Sequence, residues 1–158
     1  AIYDISSVLG FEIQLKPEQR ESIISLLGGE DVIAILPTGY GRSLIFQLYI
    51  IAKSKLATST FQHEQGSNSY SCLVICPLET IIKDQISEAT SLGIEAIKLD
   101  DDLKINAVKD AQLFFATAEF VKLPWFRNLL KDSSSVLSKI SLIVVDECHT
   151  VETWTGKR

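Results

Sequence analysis

Nothing in this chain is apolar for long enough to span a bilayer. Its apolar runs, such as Leu73 to Cys76 and Leu142 to Val145, are strand-sized, whereas a membrane helix needs about 20 consecutive apolar residues. No segment has the pattern of a secretory leader. Methionine is absent altogether, and the chain runs from Ala1 to Arg158 without an initiator. It is therefore expected to be a piece of a longer protein. Cysteine is scarce and odd in number, and of Cys72, Cys76 and Cys148 two lie inside apolar runs. That argues against a disulfide framework and predicts reduced thiols in a nuclear or cytoplasmic protein. Positive charge is short as well: 15 Lys and Arg stand against 20 Asp and Glu, a net charge of −5. The chain thus has no global attraction for nucleic acid, and any such contact must come from a local patch or from residues beyond it. No Gly-x-Gly-x-x-Gly follows the first apolar run, which argues against a dinucleotide-binding oxidoreductase. Cys72 and Cys76 lie too far apart along a strand for easy chelation, and no second Cys pair exists, which argues against zinc.

What is present is ordinary for an α/β domain. Hydrophobic residues make up 46% and charged residues 22% of 158 residues, enough for one domain with a core. Short apolar runs alternate with helical periodicity. Strands are predicted at Asp31 to Leu36, Cys72 to Cys76, Ile94 to Leu99, Gln112 to Thr117 and Ser141 to Val145. Helices are predicted at Ser43 to Lys55 and Glu79 to Leu92, and helix plus loop at Lys122 to Ser135, with Trp125 and Phe126 packing inward. Leu56 to Tyr70, rich in Ser, Thr and Gln, reads as a surface loop in which His63 is solvated, and the acidic run Asp100 to Asp102 reads as a turn. Strands separated by helices imply a doubly wound, mostly parallel sheet flanked by helices, in a single domain. In such sheets ligands bind beyond the carboxyl ends of the strands.

Two motifs fall at such ends. Thr38-Gly39-Tyr40-Gly41-Arg42-Ser43 lies between a predicted strand and a predicted helix. Glycines let backbone N–H groups turn inward around phosphate oxygens, and the helix N-terminus adds partial positive charge. Ser43 is placed to offer its hydroxyl to Mg²⁺. The strict phosphate-loop pattern fails twice, because Leu36 stands at its first Gly and Arg42 at its Lys. Taken alone, the segment fits a glycine-rich turn capping a helix equally well. Much further along, Leu142 to Val145 delivers Asp146 and Glu147 at its carboxyl end. An Asp there can hold Mg²⁺, and the neighbouring Glu can orient and deprotonate water. An exposed acidic turn is the plain alternative, but the two motifs in this order and context support one another.

With these residues the chain resembles the DExH-type helicases of superfamily two, most closely the RecQ family of DNA helicases. The resemblance covers nearly the whole chain and corresponds to the first of two RecA-like motor domains, with the chain stopping in the loop after Asp146-Glu147-Cys148-His149 and the second domain absent. It implies ATP and Mg²⁺ as cofactors and DNA as partner, with no membrane and a monomeric fragment. Gly10-Phe11 and Leu15-Lys16-Pro17-Glu18-Gln19 look like the family's adenine-recognising motif, which implies that Gln19 reads the adenine edge and that Phe11 or Lys16 stacks on the ring. Thr38, Gly39, Tyr40, Gly41, Arg42 and Ser43 correspond to the phosphate loop, and Asp146 and Glu147 to the metal-holding and catalytic carboxylates. The segment Cys76 to Gln85 resembles the family stretch that touches the DNA backbone, with Lys83 and Gln85 as contacts, and Phe115 to Glu119 falls, as a weaker match, where the family has a strand end near the DNA. His149 is implied to couple the nucleotide and DNA sites. Trp154 falls at the tryptophan of the family's aromatic-rich loop, but Thr155 to Arg158 depart from its continuation.

Two other readings remain open: an RNA helicase motor domain, and a degenerate ATP- or nucleic-acid-binding module that has lost hydrolysis. Arg42 bears on the second. Arginine keeps the charge of the family lysine but is longer, planar and forked, so the exchange is not conservative inside a tight backbone cradle. Nucleotide binding is expected to survive it, and hydrolysis in the intact protein to be strongly reduced. The fragment alone is expected to be nearly inert, since phosphoryl transfer also needs charge from across the cleft. Restoring lysine in the intact protein (Arg42→Lys) is expected to raise DNA-stimulated ATP turnover by about tenfold or more, about 1.4 kcal/mol of transition-state stabilisation. Equal turnover of the two forms would contradict this account.

Overall fold

The computed structural model describes residues 5–10, 12–60, 70–100, 111–131 and 136–148. The chain divides into two compact units, Ala1–Asn68 and Ser69–Arg158.

The first unit is helical, with α1 (Ile5–Leu9), α2 (Pro17–Leu27) and α3 (Arg42–Thr60). Proline opens α2, where its missing N–H costs nothing and its fixed φ suits the first turn. Leu9, Ile23, Ile45, Leu48 and Ala52 form the buried core between these helices. The predicted strand at Asp31 to Leu36 does not form: the segment pairs with nothing among the described residues, and Ile33 and Ile35 are 88% and 91% exposed. Alternating apolar residues make a segment able to be a strand, but a ladder needs a neighbour's N–H and C=O groups. The predicted loop from Leu56 is also corrected at its start, because α3 continues to Thr60. Thr58 Oγ1 donates to the Ser54 carbonyl at 3.0 Å, the back-bond by which a hydroxyl is accommodated within a helix.

The second unit holds the sheet. Its strands are β1 (Ser71–Cys76), β2 (Ala96–Lys98), β3 (Leu113–Thr117) and β4 (Ile140–Val145), in the order β2-β3-β1-β4. Every pairing is parallel. This is the α/β, parallel-sheet architecture expected, with four strands among the described residues in place of the five predicted. β1 runs down the middle, flanked by β3 with Cys76 opposite Thr117 and by β4 with Ile75 opposite Val145.

Helices pack on this sheet at β1, β2 and β3, while Ile143 and Val145 of β4 are exposed. Between β1 and β2 comes α4 (Glu79–Ser91), with Ile82 and Ala89 buried at a two-turn spacing. Its end is set by Gly93, whose φ of +75° lets the Ile94 N–H reach back to the Ala89 carbonyl at 3.0 Å. Lys98 on β2 reaches Glu79 in the first turn of α4 at 2.7 Å, and that hydrogen bond holds the Glu79 carboxyl below its ordinary range. The other face packs against α5 (Ala118–Val121) and α6 (Pro124–Lys131), where Leu73, Phe114, Ala116, Phe120, Phe126 and Leu137 share one core. Phe126 is buried as predicted, whereas Trp125 is 41% exposed. Trp125 instead lies edge-on to Phe120 and Phe126, with centroids 5.4 and 6.2 Å away, so half of its ring remains in solvent.

Truncating Phe126 to Ala is expected to cost about 3–5 kcal/mol, and Trp125 to Ala only about 1–2 kcal/mol, the scale of its edge-to-face pairs. Urea unfolding would compare them, and equal losses would contradict the burial pattern. The thiols give a second check. Cys72 and Cys76 are buried on β1 while Cys148 is exposed. Burial pushes the Cys76 thiol up to about 12, with Asp146 and Glu147 adding to the shift, and burial raises Cys72 as well. At pH 8 a thiol reagent is expected to label Cys148 and to spare the other two until the chain unfolds. Prompt labelling of Cys76 in the folded protein, read by peptide mass spectrometry, would overturn this.

Candidate functional site

The helical unit carries the glycine-rich loop. The Tyr40 N–H donates to the Pro37 carbonyl at 3.1 Å, closing a tight turn before α3 begins at Arg42. Gln19, 3% exposed at the third position of α2, is the residue around which the loop is organised. Its Nε2 donates to the carbonyls of Tyr40 at 2.9 Å and Gly41 at 3.0 Å, and its Oε1 accepts from the Lys16 N–H at 3.0 Å. Gly41 has φ +82°, and a Cβ there would lie 2.7 Å from Gln19 Nε2, so both backbone conformation and space demand glycine.

This clamp has a geometric consequence. Peptide units are planar and trans, so C=O and N–H point in opposite directions. No cis bond occurs among the described residues. Pulling the Tyr40 and Gly41 carbonyls toward Gln19 therefore aims the N–H groups of Gly41 and Arg42 the other way. Successive N–H groups presented together at a helix start make an anion-binding nest.

Tyr40 is tied down at its other end too. Its hydroxyl donates to Glu18 Oε2 at 2.6 Å, Lys16 Nζ donates to its carbonyl at 3.2 Å, and the same ammonium stands 3.8 Å from its ring centroid. The Tyr40 hydrogen bond lowers the Glu18 carboxyl, and Glu18 in turn raises the Tyr40 phenol. The tether thus exists from the acidic side of the ordinary carboxylate range to the alkaline side of the ordinary phenol range. Of the residues assigned to adenine, Lys16 and Gln19 both lie against the loop, and Phe11 lies outside the described residues. Thr38 and Gly39 are exposed, and Ser43 follows Arg42 in the first turn of α3. Gln47, one turn beyond Ser43, is fully buried with neither amide atom hydrogen-bonded among the described residues, and no motif in the sequence signals it.

The sheet unit carries the carboxylates. Because β1, β3 and β4 are parallel, their carboxyl ends share one edge, and Pro77, Thr117 and Asp146 all lie there. The Asp146 N–H donates to the Ile75 carbonyl at 3.0 Å, continuing the ladder past the end of β4. Its side chain is held at both oxygens: Oδ1 accepts from the Glu147 N–H at 2.9 Å, and Oδ2 accepts from Gln85 Nε2 at 2.8 Å. Glu147 has φ +53°, a left-handed conformation uncommon for a residue with a side chain. Gln85 and Lys83, which the resemblance assigns to DNA, part company here. Lys83 is exposed on α4, whereas Gln85 is half-buried with its nitrogen on Asp146. Thr117 caps α5, its Oγ1 accepting from the Phe120 N–H at 3.3 Å. His149 and Trp154 lie outside the described residues.

The donor set suits a hard, hydrated cation. Among the described residues no three His, Cys, Asp or Glu side chains gather as a ligand cluster. Mg²⁺ does not need one, since it keeps several waters and binds through one or two carboxylates plus phosphates. Asp146 retains lone pairs for this role beyond the two hydrogen bonds it accepts. Among the described residues no helix is long and apolar enough to cross a membrane.

Known proteins carry the same segments. A family described as DEAD/DEAH box helicase matches residues 16–158. The chain is 27% identical over 146 residues to ATP-dependent helicase wrn-1 of Caenorhabditis elegans, covering 88% of this chain and 12% of that protein. It is 26% identical over 164 residues to ATP-dependent DNA helicase Q5 of Rattus norvegicus, covering 95% and 15%. It is 26% identical over 163 residues to ATP-dependent DNA helicase RecQ of Haemophilus influenzae, covering 98% and 23%. The chain thus spans between 12% and 23% of the length of these relatives. The resemblance read from the motifs holds, and it extends over both the glycine-rich loop and the paired carboxylates: the chain belongs to the DEAD/DEAH box helicase family.

Proposed function

We propose that this chain is the nucleotide-binding part, the first RecA-like domain, of the motor of an ATP-dependent, RecQ-like DNA helicase. The observation that carries this reading is the Gln19 clamp, which turns two loop carbonyls inward and leaves the Gly41 and Arg42 N–H groups facing outward at the head of α3. Those N–H groups bind the phosphates of ATP. Arg42 adds fixed positive charge beside them, with Ser43 as an oxygen donor toward Mg²⁺ on the helical unit and Asp146 as one on the sheet unit. Bound there, Mg²⁺ would supply positive charge to offset the negative charge developing on the transferring phosphoryl group. Glu147 orients the attacking water and accepts its proton, a role that suits a carboxylate beside the metal-holding one. Lys83, exposed on α4, is the described residue proposed to meet a DNA phosphate. With both Nε2 hydrogens held by the loop, Gln19 has one Oε1 lone pair left with which to accept from the adenine amino group.

In this reading a second RecA-like domain in cis supplies charge from across the cleft, and the chain by itself hydrolyses ATP poorly and separates no strands. Arg42 favours one other reading, a binding module that retains nucleotide but has lost turnover.

Thermal unfolding with and without Mg²⁺ and a slowly hydrolysed ATP analogue tests the site. At about a hundred times the dissociation constant the ligand is expected to stabilise the fold by roughly 2.7 kcal/mol. The shift is expected to disappear in Ser43→Ala and Gln19→Ala. No shift at millimolar nucleotide, in this chain and in its Arg42→Lys form alike, would contradict the reading.

A further inference from the structure

We propose that Gln85 is a positioning residue for the divalent cation: its side-chain amide holds the Asp146 carboxylate in the orientation that receives the metal. The inference rests on the nucleotide-binding reading above and deepens it.

Three observations carry it. Gln85 Nε2 donates to Asp146 Oδ2 at 2.8 Å across a gap of 61 residues, so the contact is a product of the fold and not of local sequence. The other oxygen, Oδ1, is taken by the Glu147 N–H at 2.9 Å, so the two bonds together fix the carboxylate plane. Finally, Gln85 Oε1 is buried and has no partner within the described residues. A buried amide oxygen left without a donor is the exception in folded proteins and calls for an explanation. A donor from outside the chain fits, and a hydrated cation brings such donors as its waters.

An amide is well suited to this task. It orients the carboxylate through a neutral hydrogen bond, so the negative charge stays available to the metal. A lysine or arginine in its place would orient the carboxylate too, but would compete with the cation for that charge. Partners that orient a metal-ligating carboxylate typically change metal affinity by about 10–100-fold when removed. Gln85 reaches the end of β4 from α4, the helix that follows β1.

The test is Mn²⁺ binding, followed by electron paramagnetic resonance, to this chain with a slowly hydrolysed ATP analogue. Wild type, Asp146→Ala and Gln85→Met would be compared, with metal-free nucleotide binding measured separately. Gln85→Met keeps the length and removes the donor. It is expected to weaken Mn²⁺ binding about tenfold or more, with metal-free nucleotide affinity unchanged. Should Gln85→Met fail to fold, Gln85→Asn keeps an amide one methylene too short and is expected to show the same split. Mn²⁺ affinity within about twofold of wild type would overturn the proposal, taking a tenfold change as the smallest effect expected of such a partner. So would a parallel loss of metal, nucleotide and thermal stability, which is what a merely structural role would produce. If Asp146→Ala binds Mn²⁺ as wild type does, the nucleotide-site reading itself fails, and the proposal fails with it.

Discussion

Parallel pairing of β1 with β3 and β4 is the constraint from which the sheet unit's chemistry follows. Parallel strands must all end on one edge, and the connections between them must cross a face, usually as helices. Thus the turn after β1, the cap of α5 after β3 and the carboxylates after β4 come together without any sequence proximity. The same crossover rule lays α4 over the sheet and brings Gln85 to Asp146. Had β4 been antiparallel, Asp146 would stand at the opposite edge and none of these contacts would exist.

In the helical unit one amide plays the organising part. Gln19 is buried at the start of α2, yet all of its hydrogen bonds go to backbone groups: two carbonyls of the loop and the N–H of Lys16. Backbone partners do not depend on loop side chains, so the loop sequence can vary at Tyr40 and Arg42 while its path is retained. Gly41 is the exception, since any Cβ would strike Gln19. Tyr40 uses its freedom to add a tether of its own, through Glu18 and Lys16, that a smaller residue would lack.

Much of this was legible in the sequence, and the rest was not for definable reasons. The apolar runs at Cys72 to Cys76, Gln112 to Thr117 and Ser141 to Val145 became strands within a residue or two, and the helix predicted at Glu79 to Leu92 became α4. These are elements whose apolar runs are written locally, although Ile143 and Val145 of β4 stay exposed. Asp31 to Leu36 carries the same kind of pattern and forms no strand, because pairing is a property of two segments and propensity of one. The end of α3 was missed because Ser and Thr read as loop formers, although Thr58 satisfies its hydroxyl inside the helix. Gln19, Asp146 and Glu147 were visible through the motifs they belong to. The partners they chose were not: Gln19 with loop carbonyls and Gln85 with Asp146 are contacts between distant segments, with no trace in spacing. Trp125 shows the limit of reading hydrophobicity as burial, for a large ring can pack by its edge and leave the remainder in water.

The left-handed backbone of Glu147 has an evolutionary corollary. A non-glycine residue held there costs of order 1–3 kcal/mol, and such strain persists only where surrounding structure enforces it. Selection for stability alone would therefore drift this position toward glycine, or toward asparagine, which tolerates the conformation better. Either exchange would relax the turn and remove the carboxylate. A descendant under selection for stability alone would be expected to lose its acid at this position early, and to become more thermostable as it did so.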